Sequence, residues 1–372
     1  MDAPGFVLQL IAWGPASQSF SAMQLLDTWY AVALGSTLKA DRPLAVQLHG
    51  ERFALWRDQA GQVSAVRDRC PHKGASLSAG FVKDGKIACG YHGWCFGRDG
   101  HCTAIPAQHT GEPMPHRAHT RAVPCREGFG FLWIWWARDS SNSFPAEDTL
   151  PALPQIGPIP EPGDSSWRNL EGEAEWKANW IRVLEAFMDL THAPFVHAGT
   201  FGGMAPDQLL PEEQWAKDDS IYERVLAPRD RHYRADQGRG LRAMFNADDK
   251  AAEQASDAGV QHIQLWLANV SLVRVVFGDF QISLCTAHVP LEDGRTLNLW
   301  RHFRSFLRTP LADGNARSRV DRFMAEDQRM VETLVPLFPD IDGRGDMLLA
   351  SDATTLSLRK LLREKRSAGL LI

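Results

Sequence analysis

Between residues 27 and about 140 the apolar positions come in short runs, such as Phe53–Trp56 and Phe129–Trp136, set apart by turns at Asp58–Gly61, Asp84-Gly85 and Asp99-Gly100. Short apolar runs between turn residues predict a β-rich region. Phe144 to Gly163 then holds six prolines. Proline fixes φ and removes a backbone donor, so this stretch reads as an extended linker and as the place of a domain boundary. From Trp176 to about His192 the period becomes helical. Trp176, Trp180, Val183, Leu184 and Phe187 take one side, and Arg182, Glu185, Asp189 and His192 take the other. Read alone, that polar stripe is a solvated helix face.

From Leu265 to Arg304 the chain alternates like antiparallel strands. Phe280, Ile282 and Leu284 share a face, and Asp293-Gly294 turns the chain into Thr296–Arg304. A second long helix covers about Arg317 to Leu334, and the basic segment Arg359–Arg366 reads as a solvated helix face. The expected class is α+β: a tail over 1–26, an all-β domain over 27–143, the linker over 144–163 and a second domain over 164–372. The chain's 372 residues exceed what one core usually spans.

Hydrophobic residues at 44% and charged residues at 23% are ordinary for a globular protein, and a net charge of −5 gives no reason to expect nucleic acid or an anionic membrane as partner. No run approaches the roughly 20 apolar residues of a membrane span. The start of the chain lacks the basic segment of a signal peptide, so the expectation is a cytoplasmic protein. Five of the six cysteines fall between 70 and 125. In such a chain, clustering of this kind reads as metal ligation before disulfides.

One of these cysteines stands in Cys70-Pro-His72-Lys-Gly, and another, with sixteen residues between it and His72, opens Cys89-Gly-Tyr-His92-Gly-Trp. Each pair mixes one thiol with one imidazole. A structural Cys₂His₂ zinc site usually pairs like with like, whereas a Rieske [2Fe–2S] cluster binds two thiolates on one iron and two imidazoles on the other. Cys95, Cys102 and Cys125 have no partner pattern and read as free thiols. Further on comes Asp189-Leu-Thr-His192-Ala-Pro194-Phe-Val-His197. Asp189 and His192 share a helix face, and Pro194 should end the helix so that His197 can converge with His192. On the late helix Val320, Phe323, Met324, Met330, Val331 and Leu334 fall within about 60° of one direction, with Asp327 at the centre of the stripe and Asp321, Glu326 and Glu332 off it. A carboxylate aimed at the core needs either a core Arg or a metal ion. With two histidines seeking a third ligand, Asp327 is the candidate for a two-His, one-carboxylate facial triad.

The mixed Cys/His pairs, with D-x₂-H-x₄-H downstream, resemble the Rieske-type non-haem iron oxygenases, from about Trp29 to the C-terminal helix. The late helix is similar to that of vanillate- and dicamba-demethylase-type members, and pheophorbide a oxygenase-like members form a neighbouring branch. Positions where respiratory Rieske proteins carry an extra disulfide and a Ser hold Ala75, Tyr91 and Trp94, which points to a lower-potential cluster. The resemblance implies a catalytic domain with a curved antiparallel sheet gripping a long helix, and a homotrimer. Its [2Fe–2S] ligands would be Cys70, His72, Cys89 and His92, its mononuclear Fe(II) ligands His192, His197 and Asp327, and Asp189 would bridge the two centres. Some members have Asn where this chain has Ala186, so Glu185 or Arg182 would support the bridge instead.

The implied activity is that of a terminal oxygenase component. Electrons come from NAD(P)H through a separate reductase, directly or by way of a ferredoxin, and O₂ is used to hydroxylate or O-/N-demethylate a small organic substrate. The alternatives are an aromatic-ring dihydroxylating dioxygenase or a pigment-ring oxygenase. A non-catalytic Rieske electron carrier and a zinc-stabilised binding protein stand further off. The substrate is not legible. Leu265, Trp266, Val270, Phe277, Ile282 and His288 fit a pocket lining and plain core equally well.

Overall fold

The computed structural model describes residues 23–109, 111–137, 149–161, 163–198, 210–228, 258–292 and 294–372. The first part is built wholly of strands and short 3₁₀ turns. Its strands are β1 (Thr28–Leu34), β2 (Leu44–Leu48), β3 (Glu51–Arg57), β4 (Val63–Arg67), β5 (Phe81–Lys83), β6 (Lys86–Ala88), β7 (Cys95–Phe96), β8 (Cys102–Ala104), β9 (Ala122–Val123), β10 (Cys125–Gly128) and β11 (Phe131–Trp136). They make three antiparallel sheets, ordered β1-β11-β10, β2-β3-β4-β9 and β5-β6-β7-β8. The last is a small satellite that carries both Cys/His loops, with its own core of Trp56, Leu77, Ile87 and Phe96.

The second part holds one seven-stranded antiparallel sheet, in the order β12-β18-β17-β16-β15-β14-β13. These strands are β12 (Arg168–Trp176), β13 (Leu210–Lys217), β14 (Ser220–Pro228), β15 (Ala258–Trp266), β16 (Val270–Phe277), β17 (Phe280–Glu292) and β18 (Arg295–Arg304). Among the described residues four helices accompany them: α1 (Trp180–Met188), α2 (Ala193–Val196), α3 (Asp313–Val331) and α4 (Ala353–Ser367). The α+β class expected from the pattern is the one observed. One face of the sheet grips the helices. Trp176, Leu284 and Trp300 pack there against Val183 and Phe187 of α1 and Val320, Met324 and Val331 of α3.

The opposite face of β17 and β18 joins the strands of the first part in one continuous core, Ala287, Val289 and Leu299 packing with Trp29, Tyr30 and Trp133. Fully buried Asn269 ties the two parts by side-chain bonds, accepting from Ala31 N and donating to Ala31 O. His49 N and Gly50 N donate to the carbonyls of Pro290 and Leu291. Of the open lining positions, Leu265, Trp266, Val270 and His288 are all buried, and His288 is spoken for by Ser271 and Asn298 at 2.7 Å each.

Three local expectations are corrected. The helix read from Trp176 starts at Trp180, because Trp176 still pairs with Thr296 in the sheet and Asn179 caps the helix by accepting from Ile181 N. The polar stripe of α1 is not solvated. Arg182 and Glu185 are 6% and 7% exposed. On α4, Lys360 and Arg366 are exposed as expected, but Arg359, 1% exposed, donates to Glu185 and Asp346, and Arg182 donates to the same two carboxylates. Two guanidiniums and two carboxylates therefore form a buried square whose mutual pairing offsets their loss of hydration.

Candidate metal centres

Cys70 and Cys89 sit in two loops closed by the same pair of backbone bonds. Gly74 N donates to Cys70 O and Cys70 N to Ala75 O. Gly93 N donates to Cys89 O and Cys89 N to Trp94 O. Gly74 and Gly93 hold φ of +78° and +72°, which a side chain resists. The two thiols are buried at 2% and 1% exposure, while His72 and His92 stand at the surface with ring centroids 4.5 Å apart. Trp94 stacks on His72 at 4.8 Å, within 4° of parallel. Burial pushes the Cys70 thiol up to about 11, the backbone N–H of His72 opposing it and Cys89 adding to it. An N–H aimed at a ligating sulfur stabilises thiolate and cluster charge.

These four residues do not converge on one point. Among the described residues the group that does is His192, His197 and Asp327. Two pairs held apart, thiols inside and imidazoles outside, fit a two-iron cluster with unlike ligands on its two irons and do not fit a single tetrahedral zinc. Among the described residues Cys95, Cys102 and Cys125 form no disulfide.

The second constellation lies where α1 ends. His192 is the last residue before α2, Pro194 stands in the first turn of that short helix, and one turn later His197 returns beside His192. Asp327 comes from the buried face of α3, with Val320, Met324 and Val331. His192 Nε2 and His197 Nε2 are 3.3 Å apart, and Asp327 Oδ1 is 3.3 Å from the first and 3.0 Å from the second. Ligand atoms about 2.1 Å from one ion and at right angles to each other lie about 3 Å apart, so these three atoms have the spacing of one octahedral face. The donor set therefore fits the facial triad. His197 and Asp327 are 1% and 4% exposed.

Carboxylates back both imidazoles. His197 Nδ1 is 2.9 Å from Glu326 Oε2 and His192 Nδ1 is 3.4 Å from Asp189 Oδ2. A carboxylate on Nδ1 fixes the tautomer that presents the Nε2 lone pair. Burial opposes a charge on His192, but hydrogen bonds to Asp189 and Asp327 outweigh it and raise its pKa to about 9. Asp327 and Asp189 are held low by the converse bonds, against their own burial. Asp189 Oδ1 accepts from Thr191 N and Thr191 Oγ1 at 2.6 and 2.7 Å. This corrects the expected support from Glu185 or Arg182, which the buried square has claimed. Phe323 covers His197, ring centroids 4.4 Å apart.

Sequence reasoning missed Glu326, Thr191 and Glu223. The first two flank ligand-type residues by one position or sit between them, which was their only signal. Glu223 is raised to about 7 by burial and by the charge of Asp189, and nothing in the sequence marks it.

An all-β part with mixed Cys/His loops, joined to a sheet that grips a helix beside a two-His, one-carboxylate cluster, defines a class: two-centre non-haem iron oxygenases. The comparisons give the family. Residues 28–124 match the Rieske [2Fe-2S] domain, and residues 176–368 match the vanillate O-demethylase oxygenase C-terminal domain. The chain belongs to the Rieske oxygenases of the vanillate O-demethylase type.

It is 32% identical over 207 residues, 54% of each chain, to a vanillate O-demethylase oxygenase subunit of Pseudomonas sp. (strain HR199 / DSM 7063). It is 35% identical over 185 residues, 49% of this chain and 26% of the other, to the chloroplastic chlorophyllide a oxygenase of Chlamydomonas reinhardtii. The chain thus spans about half or less of the length of the curated relatives it matches. In fold it is similar to dicamba monooxygenase bound to dicamba, with a TM-score of 0.73 at 23% identity, covering 94% of this chain and 99% of that one.

Proposed function

We propose that the chain is the terminal oxygenase of a multicomponent system that monooxygenates a small organic substrate. The observation that carries this is the octahedral-face spacing of His192, His197 and Asp327, in a chain that holds a separate mixed Cys/His pair of loops. Cys70 and Cys89 would hold the inner iron of a [2Fe–2S] cluster, His72 and His92 the outer one, and the triad a mononuclear Fe(II). When bound, the cluster stores single electrons and the mononuclear iron activates O₂.

The chain's own residues do the rest. Glu326 and Asp189 orient the two imidazoles, Phe323 keeps water from His197, and Asp189 bridges toward an incoming imidazole. Exposed His72 and His92 suit electron entry from a separate reductase supplied by NAD(P)H, directly or through a ferredoxin, and suit contact with a neighbouring subunit in a homotrimer. Demethylation is the finer reading, supported by the vanillate O-demethylase relative. The chlorophyllide a oxygenase relative supports a second, oxidation on a pigment ring. Among the described residues no helix is long and apolar enough to cross a membrane.

Metal analysis with EPR tests the assignment. The expected result is iron near three per chain with a rhombic signal after dithionite, two irons belonging to the cluster. Zinc in place of iron, or two irons without a third, would refute it.

A further inference from the structure

On β14 the side chains alternate, and Ile221, Glu223 and Val225 share the face turned toward the helices. Ile221 and Val225 are 0% and 1% exposed, so Glu223 is a carboxylate set in an otherwise apolar strip. Its cross-strand neighbour is Ile263, which pairs with Val273, which pairs with Leu284. Leu284 lies in the cluster beneath Val320 and Met324 of α3, the helix that carries Asp327. One apolar row of the sheet therefore runs from Glu223 to the floor of the triad. Asp189, which lies 3.4 Å from His192 Nδ1, is close enough for its charge to act on Glu223.

The acids around it are committed. Asp189 is taken by Thr191 and His192, Asp327 by both histidines, and Glu326 by His197. The side chain of Glu223 makes no hydrogen bond or ion pair with any described residue, yet it is half-buried. A carboxylate in such a place is costly unless something pairs with it, and it rejects a ligand of its own sign more strongly than it favours a neutral one.

We propose that Glu223 is the acceptor that anchors the substrate, and that the substrate bears a protonated amine or another N–H donor rather than a carboxylate. This rests on reading the triad as the reaction centre. A ligand over half-buried Val273, with its donor on Glu223, would lie beside Asp189, the carboxylate that backs His192. An aromatic acid in the same pose would set its own carboxylate against Glu223 and Asp189. The inference separates this chain from the vanillate- and dicamba-handling proteins it is similar to.

The test is equilibrium binding by calorimetry with a matched pair, 4-hydroxy-3-methoxybenzylamine and 4-hydroxy-3-methoxybenzoate. The iron-loaded wild-type protein and Glu223→Gln are compared. The amine should bind wild type about tenfold or more tightly than the acid, the scale of one charge-assisted hydrogen bond. In Glu223→Gln the two should come within about threefold of each other. Iron content and the EPR signal should stay unchanged, since Glu223 holds no metal. Equal or tighter binding of the acid by wild type, no binding of the amine, or an unchanged ratio in Glu223→Gln would overturn the inference. Loss of the third iron from wild type would instead overturn the oxygenase reading, whatever the binding ratio.

Discussion

At the scale of single residues, the two imidazoles of the triad are set by neighbours of unlike origin. Asp189 is local, three residues before His192. Glu326 reaches His197 only because α3 crosses the end of α1, 129 positions away in the chain. The two carboxylates should be separable by experiment. Glu326→Gln removes the acceptor that fixes His197 and should weaken mononuclear iron binding about 10–100-fold, measured by chelator competition, with the cluster's visible spectrum intact. Asp189→Ala, saturated with iron to offset a similar weakening at His192, should stop electron transfer between the two centres. Stopped-flow oxidation of the pre-reduced cluster by O₂ would read this, and wild-type rates would remove Asp189 from the bridge. The Asp327 stripe was legible because a carboxylate among Val320, Met324 and Val331 contradicts its surroundings. Glu326 was not, because one step around the helix it looks like any solvated acid.

At the scale of elements, α1 is clamped along its length. Arg359 of α4 and Arg182 of α1 share Glu185 and Asp346, and Thr354 Oγ1 donates to Met188 O at the last turn before Asp189. Arg359→Ala would leave Glu185 and Asp346 to share Arg182 alone and should lower stability in urea unfolding by about 1–3 kcal/mol, the scale of a lost charge-assisted hydrogen bond. Arg359→Met combined with Glu185→Met should recover part of that loss, because it removes the excess carboxylate as well.

The start of α3 is tied differently. Asp313 accepts from Arg168 of β12 and Arg304 of β18, and the Arg168 bond leads in holding its pKa down at about 2. A depressed carboxylate stabilises the fold above its ordinary value of 3.8 and loses that contribution as the pH falls through about 2. Asp313→Asn should therefore lower the melting temperature at pH 7, and the gap from wild type should close toward pH 2.

For the whole molecule, one core runs through both parts, from Trp29 and Trp133 to Leu299 and Leu362. The Asn269–Ala31 bonds and the His49 and Gly50 amides stitch the sheets where they meet. Such continuity predicts one cooperative transition rather than two. On heating, bleaching of the visible cluster band and loss of far-ultraviolet ellipticity should coincide. Two separated transitions would show that the parts fold independently.

The sequence by itself determined the chemistry of the donors and the class of the elements. Mixed Cys/His pairs, alternating strands and an acid within an apolar helical stripe are local patterns, and local patterns follow from periodicity and ligand preference. Only the tertiary structure decided which charges are buried and what they face. Arg359 and the α1 stripe read as solvated because their partners lie far away in sequence. Glu223 read as nothing at all until strand register put it on the face that leads to the triad. Burial and pairing belong to surfaces brought together by folding, and a one-dimensional pattern carries the period of a surface but not the identity of what covers it.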